Sequence, residues 1–167
     1  MDYIWHYNSP LGGITLASDG EALCGLWFDG QKFFGAGLSQ QFREQRLQIF
    51  DDTCRWLDSY FSGKAPDTTP KLNMRATPFR KAIWELLLTI PYGQTMTYGE
   101  LASRYASLNG LTKMSAQAVG NAVAHNSISI IIPCHRVVGT DGTLTGYAAG
   151  LDKKNRLLQL ERSANNY

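Results

Sequence analysis

The segment best equipped for chemistry is residues 130–139, Ile-Ile-Ile-Pro-Cys-His-Arg-Val-Val-Gly. The three isoleucines predict a buried strand, which ends or bends at Pro133 because proline cannot donate to a central ladder. Cys134 would then lie at a strand end, where active sites are commonly built. Its thiolate would be a nucleophile, and His135 and Arg136 are candidate activators once a turn brings them into contact. These residues alone leave a reactive cysteine and a buried structural cysteine equally open.

The remaining cysteines and histidines form no pattern typical of a metal site. Cys24 lies in an apolar strand pattern and Cys54 on an apolar helical stripe, so both are predicted to be small core residues. Three cysteines cannot all pair within one chain, and no pair of cysteines or histidines has the spacing of a zinc knuckle or finger. We therefore expect neither a metal ion nor another cofactor.

The composition is that of a globular protein that can bury a sizeable core. Of 167 residues, 44% are hydrophobic and 18% are charged, which excludes a disordered chain. No apolar run approaches the roughly 18 to 20 residues that cross a bilayer. The first residues also lack a secretory signal, so a cytoplasmic location is the default expectation.

Charge is divided unevenly between the two halves of the chain. Residues 1–72 carry 6 Lys and Arg against 9 Asp and Glu, whereas residues 73–167 carry 10 against 5. The net charge of +2 therefore combines −3 in front with +5 behind. A basic second half is typical of a surface that meets nucleic acid, although chance variation of the surface accounts for the split equally well.

The first half has the sequence pattern of short β-strands separated by turns. Turn residues separate three apolar stretches and predict a meander of strands over residues 3–7, 13–17 and 23–28. A helix that ends near Gly63 should follow, because four residues recur at helical spacing: Phe50, Cys54, Leu57 and Phe61. Residues 63–70 are predicted to be a linker, which divides the chain into domains at 1–72 and 73–167.

The second half changes to helices, each introduced by a capping residue. Thr77, Thr97 and Ser115 are predicted to cap three of them, and a final helix runs over about 152–161. The second and third helices are compatible with a helix-turn-helix. Because the third helix carries almost only small side chains, it could lie close to a DNA groove; close packing inside the protein is the alternative.

Two motifs then point to a family. Residues 133–139, Pro-Cys-His-Arg-Val-Val-Gly, and residues 142–148, Gly-Thr-Leu-Thr-Gly-Tyr-Ala, closely resemble the active-site signature of the O6-alkylguanine-DNA alkyltransferases. The resemblance covers the chain from about Thr77 onward and includes Ile-Pro-Tyr-Gly at 90–93 and Tyr-Gly-Glu-Leu-Ala at 98–102. The front half is similar only in character.

The resemblance implies an α+β protein with two parts. A small ribonuclease-H-like α/β N-terminal domain would precede a helical, winged-helix C-terminal domain with a helix-turn-helix. The implied activity is direct-reversal DNA repair, in which the alkyl group of O6-alkylguanine, and also of O4-alkylthymine, moves irreversibly onto one cysteine of each chain. The partner would be double-stranded DNA with the damaged base flipped out from the minor groove, since its O6 is inaccessible inside the duplex. A monomer is the default.

The family's functional residues carry over position by position. Cys134 would accept the alkyl group, His135 would take the thiol proton through a water, and Glu161 would orient that histidine. Asn126 would tie the reactive turn to the DNA-reading helix, and Tyr98 would donate to the leaving guanine. The expected lining of the base pocket is Val137, Tyr147, Ala148 and Ala149.

The expected DNA-binding residues lie mainly on the small-residue helix, which would approach the minor groove closely. Two positions depart from the family's pattern. Gln117 stands where many members carry an arginine finger, and Ala149 replaces a glycine and is expected to narrow the pocket against bulky O6 adducts. The residues expected to contact DNA are Ser115, Ala116, Gln117, Ala118, Lys113 and Arg136, with Arg75, Arg80 and Lys81 as further phosphate contacts.

Two other classes of protein compete with the repair enzyme. A lesion sensor of the alkyltransferase-like kind lacks the reactive cysteine, so Cys134 argues against it. A papain-like cysteine hydrolase needs an oxyanion hole and a histidine distant in sequence, which an adjacent Cys134 and His135 do not supply. Stoichiometric alkylation by DNA would exclude the hydrolase.

Overall fold

A computed structural model describes residues 1–165. The chain begins with a small β-sheet. The predicted meander is confirmed, because the first three strands pair antiparallel in chain order. A short fourth strand, which the sequence pattern did not predict, pairs parallel with the first, so the order across the sheet is β3-β2-β1-β4. The strands are β1 (Asp2–Ser9), β2 (Gly12–Ser18), β3 (Leu23–Phe28) and β4 (Phe42–Glu44).

Helix α1 (Gln48–Phe61) packs on this sheet through one apolar face. The helix ends where predicted, since Gly63 has a φ of +88° that favours glycine. The buried face is rotated slightly from the predicted stripe. Cys54 is only half-buried, whereas Tyr60 is completely buried in its place.

The helices of the second half begin at the predicted capping residues. The hydroxyls of Thr77 and Ser115 each accept a hydrogen bond from the backbone of the first turn, and Thr97 forms a capping box with Glu100. Two short strands form a parallel ladder beside them. The elements are α2 (Pro78–Leu87), β5 (Met96–Thr97), α3 (Tyr98–Leu108), α4 (Ala116–Ala124), β6 (Val137–Val138) and α5 (Leu151–Asn165).

The prediction of a strand over the three isoleucines is wrong. Residues 129–132 form a tight turn in which Ile130 has a φ of +69°, a conformation that no regular strand contains. This segment is instead held at its start by the front sheet. The Leu26 N–H donates to the Ser127 carbonyl over 2.9 Å, and the Ser129 N–H donates to the Leu26 carbonyl over 3.0 Å.

A single hydrophobic core connects the two halves of the chain. Its buried side chains come from the sheet, α1, the helices of the second half and the turn before Cys134, for example Leu16, Leu57, Leu87, Ile132 and Leu157. The α+β class is therefore confirmed, while the predicted domain boundary at residue 72 stays a prediction. Within residues 1–165, no helix has the length and apolar character needed to cross a membrane.

Candidate active site

Cys134 opens a single 3-10 turn, Cys134–Arg136, that directly precedes β6. Only 7% of the residue is exposed. Burial raises the pKa of the thiol, and hydrogen bonding by Asn126 and the nearby ammonium of Lys154 oppose that rise. Burial penalises the charged form, so a reactive thiolate at this position needs a base to take its proton.

His135 and Glu161 form a completely buried pair. The imidazole Nε2 lies 2.5 Å from Glu161 Oε2. Burial by itself would raise the pKa of Glu161, but His135 and Arg136 hold it well below its usual range, so the carboxylate is ionised. Burial lowers the pKa of His135 against the opposing pull of Glu161, which favours a neutral ring. We assign the proton to Nε2, facing the carboxylate, which leaves Nδ1 as the basic nitrogen.

Cys134, His135 and Glu161 match the roles of a nucleophile, a base and an orienting acid. His135 Nδ1 is buried and has no hydrogen-bond partner among residues 1–165. His135 directly follows Cys134, and the 3-10 turn places both side chains in the interior. The structure therefore brings Glu161 and His135 together at the site of Cys134.

Arg136 lies buried in this cluster and not among the exposed residues of α4, so the structure contradicts its predicted contact with DNA. Its Nε donates to Glu161 Oε1 over 2.8 Å and its Nη1 donates to the Ile90 carbonyl over 2.7 Å. The residue is 9% exposed. A buried guanidinium needs a buried carboxylate for compensation, and Glu161 supplies it.

Asn126 connects helix α4 to the reactive turn, as the sequence comparison with the family had implied. The residue follows the end of α4 and is 4% exposed. Its Nδ2 donates to the Ile132 carbonyl over 2.8 Å, and its Oδ1 accepts from the Ile128 N–H over 3.0 Å. These two bonds close the turn that carries the isoleucines, which explains why no strand forms there.

A groove of about 960 Å³ runs along α4 and has Cys134 in its wall. This volume is at the upper end of the roughly 300–1,000 Å³ typical of small-molecule sites. Residues 145–148 and 150–151 also line the groove, and Lys32 and Phe33 reach it from the front half. Two of the predicted pocket residues, Tyr147 and Ala148, line this groove, and so does Tyr98, the predicted donor to the leaving guanine.

Two predicted pocket residues, Val137 and Ala149, do not line the groove. Val137 is fully buried in β6; its N–H donates to the Cys134 carbonyl and its carbonyl accepts from Lys154 Nζ over 2.6 Å, and its contact with the base stays a prediction. Ala149 packs against the hydrophobic core, so its methyl group does not narrow the groove.

Comparisons with known proteins identify the family of the chain. The family model described as "6-O-methylguanine DNA methyltransferase, DNA binding domain" matches residues 78–163, and the model described as the ribonuclease-like domain of the same methyltransferase matches residues 3–74. The chain belongs to the 6-O-methylguanine DNA methyltransferase family. The resemblance in the active-site motifs and the α+β fold are thereby confirmed.

Relatives in this family match almost the whole chain. The methylated-DNA–protein-cysteine methyltransferase of Methanosarcina acetivorans is 42% identical over 158 residues, which are 94% of this chain and 96% of the relative. The Mycobacterium bovis protein of the same name is 38% identical, over 95% of this chain and 93% of that relative. The crystal structure of Mycobacterium tuberculosis OGT in complex with DNA has a TM-score of 0.85 at 37% identity and covers 97% of this chain and 94% of that one.

The predicted DNA-contact residues on and beside α4 lie at the surface. Ser115, Ala116, Gln117 and Lys113 are exposed and Ala118 is half-buried. Gln117 also lines the groove that contains Cys134. Arg75 is different, because both of its Nη atoms donate to the Asp2 carboxylate, over 2.7 and 2.8 Å, so its charge is already neutralised. The suggestion that Arg75 contacts phosphate is therefore not supported.

Two residues that approach the catalytic cluster escaped the sequence-based prediction. Lys154 is completely buried, and its ammonium donates to the carbonyls of Val137 and Thr145 over 2.6 and 2.7 Å. Burial lowers its pKa to about 8, although Cys134 opposes that shift. Tyr60 donates its hydroxyl hydrogen to Glu161 Oε2 over 2.6 Å.

Helical spacing could have predicted that the side chains of Lys154 and Tyr60 are buried, but not which groups they contact. Lys154 lies three and four residues before the buried Leu157 and Leu158, and Tyr60 lies three residues after the buried Leu57. Within residues 1–165, no three His, Cys, Asp or Glu side chains gather as a metal-binding group. The absence of a metal and of other cofactors stays a prediction.

Proposed function

We propose that this chain repairs double-stranded DNA by moving the alkyl group of O6-alkylguanine onto Cys134. Membership of the family makes the chain a methylated-DNA–protein-cysteine methyltransferase that acts on damaged guanine in DNA. The observation that carries the assignment to Cys134 is its position in the wall of the α4 groove, beside the buried pair of His135 and Glu161. Neither Cys24 nor Cys54 lines this groove.

The proposed reaction is an in-line displacement at the alkyl carbon. His135 Nδ1 takes the proton of the Cys134 thiol through a water, and Glu161 stabilises the imidazolium that forms. The thiolate sulfur then bonds to the alkyl carbon while the bond from that carbon to O6 breaks. Its electron pair stays on the guanine, which is protonated as it leaves, with Tyr98 as the donor. The thioether that forms has no proton to lose and cannot become a thiolate, so each chain reacts once.

We further propose that the damaged base is flipped from the minor groove into the groove beside α4. The α4 surface that begins at Ser115 presents small side chains, which permits close approach to a DNA groove. Gln117 lies both on that surface and at the rim of the Cys134 groove, a position suited to filling the space that a flipped base leaves. Reaction with O4-alkylthymine, action as a monomer and a cytoplasmic location stay predictions.

The test is the intact mass of the protein after incubation with an excess of duplex oligonucleotide that contains O6-methylguanine. The expected gain is one methylene per chain, with no second addition at longer times. Peptide mapping should place it on Cys134, with Cys24 and Cys54 as internal controls in the same molecule. An unchanged mass with a reduced Cys134 would refute the transfer and leave a lesion-binding protein as the better account.

Phe33 is expected to determine how well bulky adducts react. Its ring lines the groove, is 46% exposed and stacks on His125 with 4.2 Å between ring centroids, so an aromatic adduct can pack beside it. An aromatic pair contributes about 0.5–1.5 kcal/mol. Phe33→Ala should therefore slow the transfer of a benzyl group by about three- to tenfold relative to a methyl group.

Phe34 supplies the matched control for this measurement. Phe34 is 47% exposed, packs near Trp27 and does not line the groove. Phe34→Ala should leave the ratio of benzyl to methyl transfer rates unchanged. If the ratio of benzyl to methyl transfer rates changed equally in both variants, the segment that contains Phe33 and Phe34, and not the Phe33 ring, would determine how well bulky adducts react.

A further inference from the structure

The front half of the chain reaches the catalytic cluster through one hydroxyl group. Tyr60, on α1, is completely buried, and its Oη lies 2.6 Å from Glu161 Oε2. The same carboxylate oxygen accepts the proton of His135 Nε2, and Tyr60 Oη lies 3.5 Å from that nitrogen. Tyr60 therefore touches both members of the pair that prepares Cys134.

The hydroxyl completes the set of hydrogen bonds that Glu161 can accept. Oε2 accepts from Tyr60 and His135, and Oε1 accepts from Arg136 Nε over 2.8 Å and from the Gly93 N–H over 3.0 Å. A carboxylate has about four lone-pair sites, so each is occupied. With all four sites filled, Glu161 has one orientation and so does the imidazole bound to it.

The Tyr60 ring is fixed by its aromatic neighbours. It stacks on Trp56 with 5.5 Å between centroids and an interplanar angle of 6°, and meets Tyr92 and His135 edge to face. Burial and the neighbouring Glu161 raise the pKa of the phenol well above its usual value, so the hydroxyl keeps its proton and can act only as a donor toward the carboxylate. Tyr60 does not line the α4 groove and cannot touch a base there.

We propose that Tyr60 is a positioning residue for the catalytic base. This inference rests on the proposed function, because it assigns to Tyr60 the role of holding Glu161 and His135 ready for the thiol proton. The hydroxyl does two things: it limits the rotation of the carboxylate, and it takes part of the negative charge on Oε2, the oxygen that also binds His135. The front half thus supplies part of the catalytic machinery without contacting the substrate.

Because the Tyr60 hydroxyl shares the charge of Glu161, its loss should shift the pH dependence of transfer in a predictable direction. The titratable and charged groups around His135 are Cys134 and Arg136 of its own turn, Lys154 and Glu161 of α5, and Tyr60 of α1. Tyr92, in the turn after α2, packs against Tyr60 and Arg136. Without the Tyr60 hydroxyl, more of the carboxylate charge acts on the imidazole, and the pKa of His135 rises. A histidine that is already protonated cannot accept the thiol proton. The acid limb of the rate profile therefore moves to higher pH.

The experiment compares Tyr60→Phe with Tyr7→Phe. Tyr7 makes the same kind of bond, from its hydroxyl to the Asp58 carboxylate over 2.6 Å, but on the surface and away from the cluster. Single-turnover methyl transfer from an O6-methylguanine duplex is measured between about pH 5 and 9, at a temperature where melting curves show each protein folded. Tyr60→Phe should react about tenfold more slowly at neutral pH, the equivalent of one hydrogen bond, with its acid limb at higher pH. Tyr7→Phe should match the unchanged protein.

The failures of the two proposals are distinguishable. If the unchanged protein transfers no methyl group, the proposed function fails. If it does transfer and Tyr60→Phe has a lower melting temperature but the same rate and the same acid limb, the hydroxyl has a structural role alone and the inference is overturned. The protonation state of His135, read from ¹⁵N chemical shifts, is a second measurement: the neutral Nε2–H ring should become imidazolium at a higher pH in Tyr60→Phe than in the unchanged protein, and an unshifted midpoint would overturn the inference.

Discussion

Replacing Cys134 with serine is expected to abolish alkyl transfer while leaving the affinity for double-stranded DNA unchanged. The hydroxyl has nearly the shape of the thiol, so the turn Cys134–Arg136 should persist. An alcohol is a far weaker acid than a thiol, and burial, which already raises the pKa of the thiol, opposes an alkoxide still more strongly. His135 can help a thiol to ionise, but the carbon of an alkyl ether needs a stronger nucleophile than a hydrogen-bonded hydroxyl.

The measurement pairs transfer of a labelled methyl group with binding to the same duplex. Cys24→Ser and Cys54→Ser are the controls, since burial raises the pKa of Cys24 to about 11 and also raises that of Cys54, and neither lines the groove. Both control variants should retain full transfer. Labelling of the Cys134→Ser protein at any position would contradict the assignment of the acceptor.

Replacing Glu161 with glutamine is expected to slow transfer by up to about 10⁴-fold, the loss seen when the orienting acid of a serine-protease triad becomes an amide. The amide has the shape of the carboxylate but carries two donor hydrogens. It would place one of them against His135, Tyr60, Arg136 or Gly93, all of which donate to the carboxylate. The imidazole would then lose the hydrogen bond that fixes its proton on Nε2.

The same substitution should also destabilise the fold, because it leaves the buried Arg136 without its counter-charge. Breaking a buried ion pair from one side costs about 3–5 kcal/mol. Glu161 has a depressed pKa, so its contribution is present above the pKa of an unfolded glutamate and is lost only as the pH falls through the lower folded value. Denaturant unfolding at neutral pH should therefore show the full loss, and the difference should shrink in acid.

Glu100→Gln is the matched control for Glu161→Gln. Glu100 is exposed and accepts from the Thr97 N–H in a capping box, a role that glutamine also fills. Its transfer rate and stability should stay close to those of the unchanged protein. A rate for Glu161→Gln equal to that of the control would exclude Glu161 as the group that orients His135.

Local signals predicted a large part of the fold. The helix starts after Thr77, Thr97 and Ser115 were predictable because a cap depends on a residue and the backbone three positions away. β4 was not predictable, since Phe42–Glu44 is three exposed residues that pair with the distant β1. The strand prediction for the three isoleucines failed for a related reason, because an apolar run has no periodicity that separates a strand from a buried turn. The hydrogen bonds of Asn126 to Ile128 and Ile132 hold this segment in a turn.

The active site was predictable where its chemistry is local and unpredictable where it is assembled from afar. The adjacent Cys134 and His135 are visible in the sequence, and the resemblance to the family supplied Glu161. The destination of Arg136 was misjudged because a charged side chain is ordinarily exposed, and only the folded chain brings its buried carboxylate partner to it. Tyr60 is 101 residues from Glu161, and no sequence pattern signals that contact.

The backbone pairing of Leu26 with residues 127–129 has a consequence for how this family can diverge and be engineered. The front half is not a detachable module: its edge strand carries the segment that leads to Cys134, and its core is continuous with that of the second half. A chimera that joined this catalytic half to another member's front half would have to bring a matching strand edge with it. We therefore expect amino-acid substitutions in the front half to be tolerated at solvent-exposed positions and constrained where its backbone and buried side chains contact the second half.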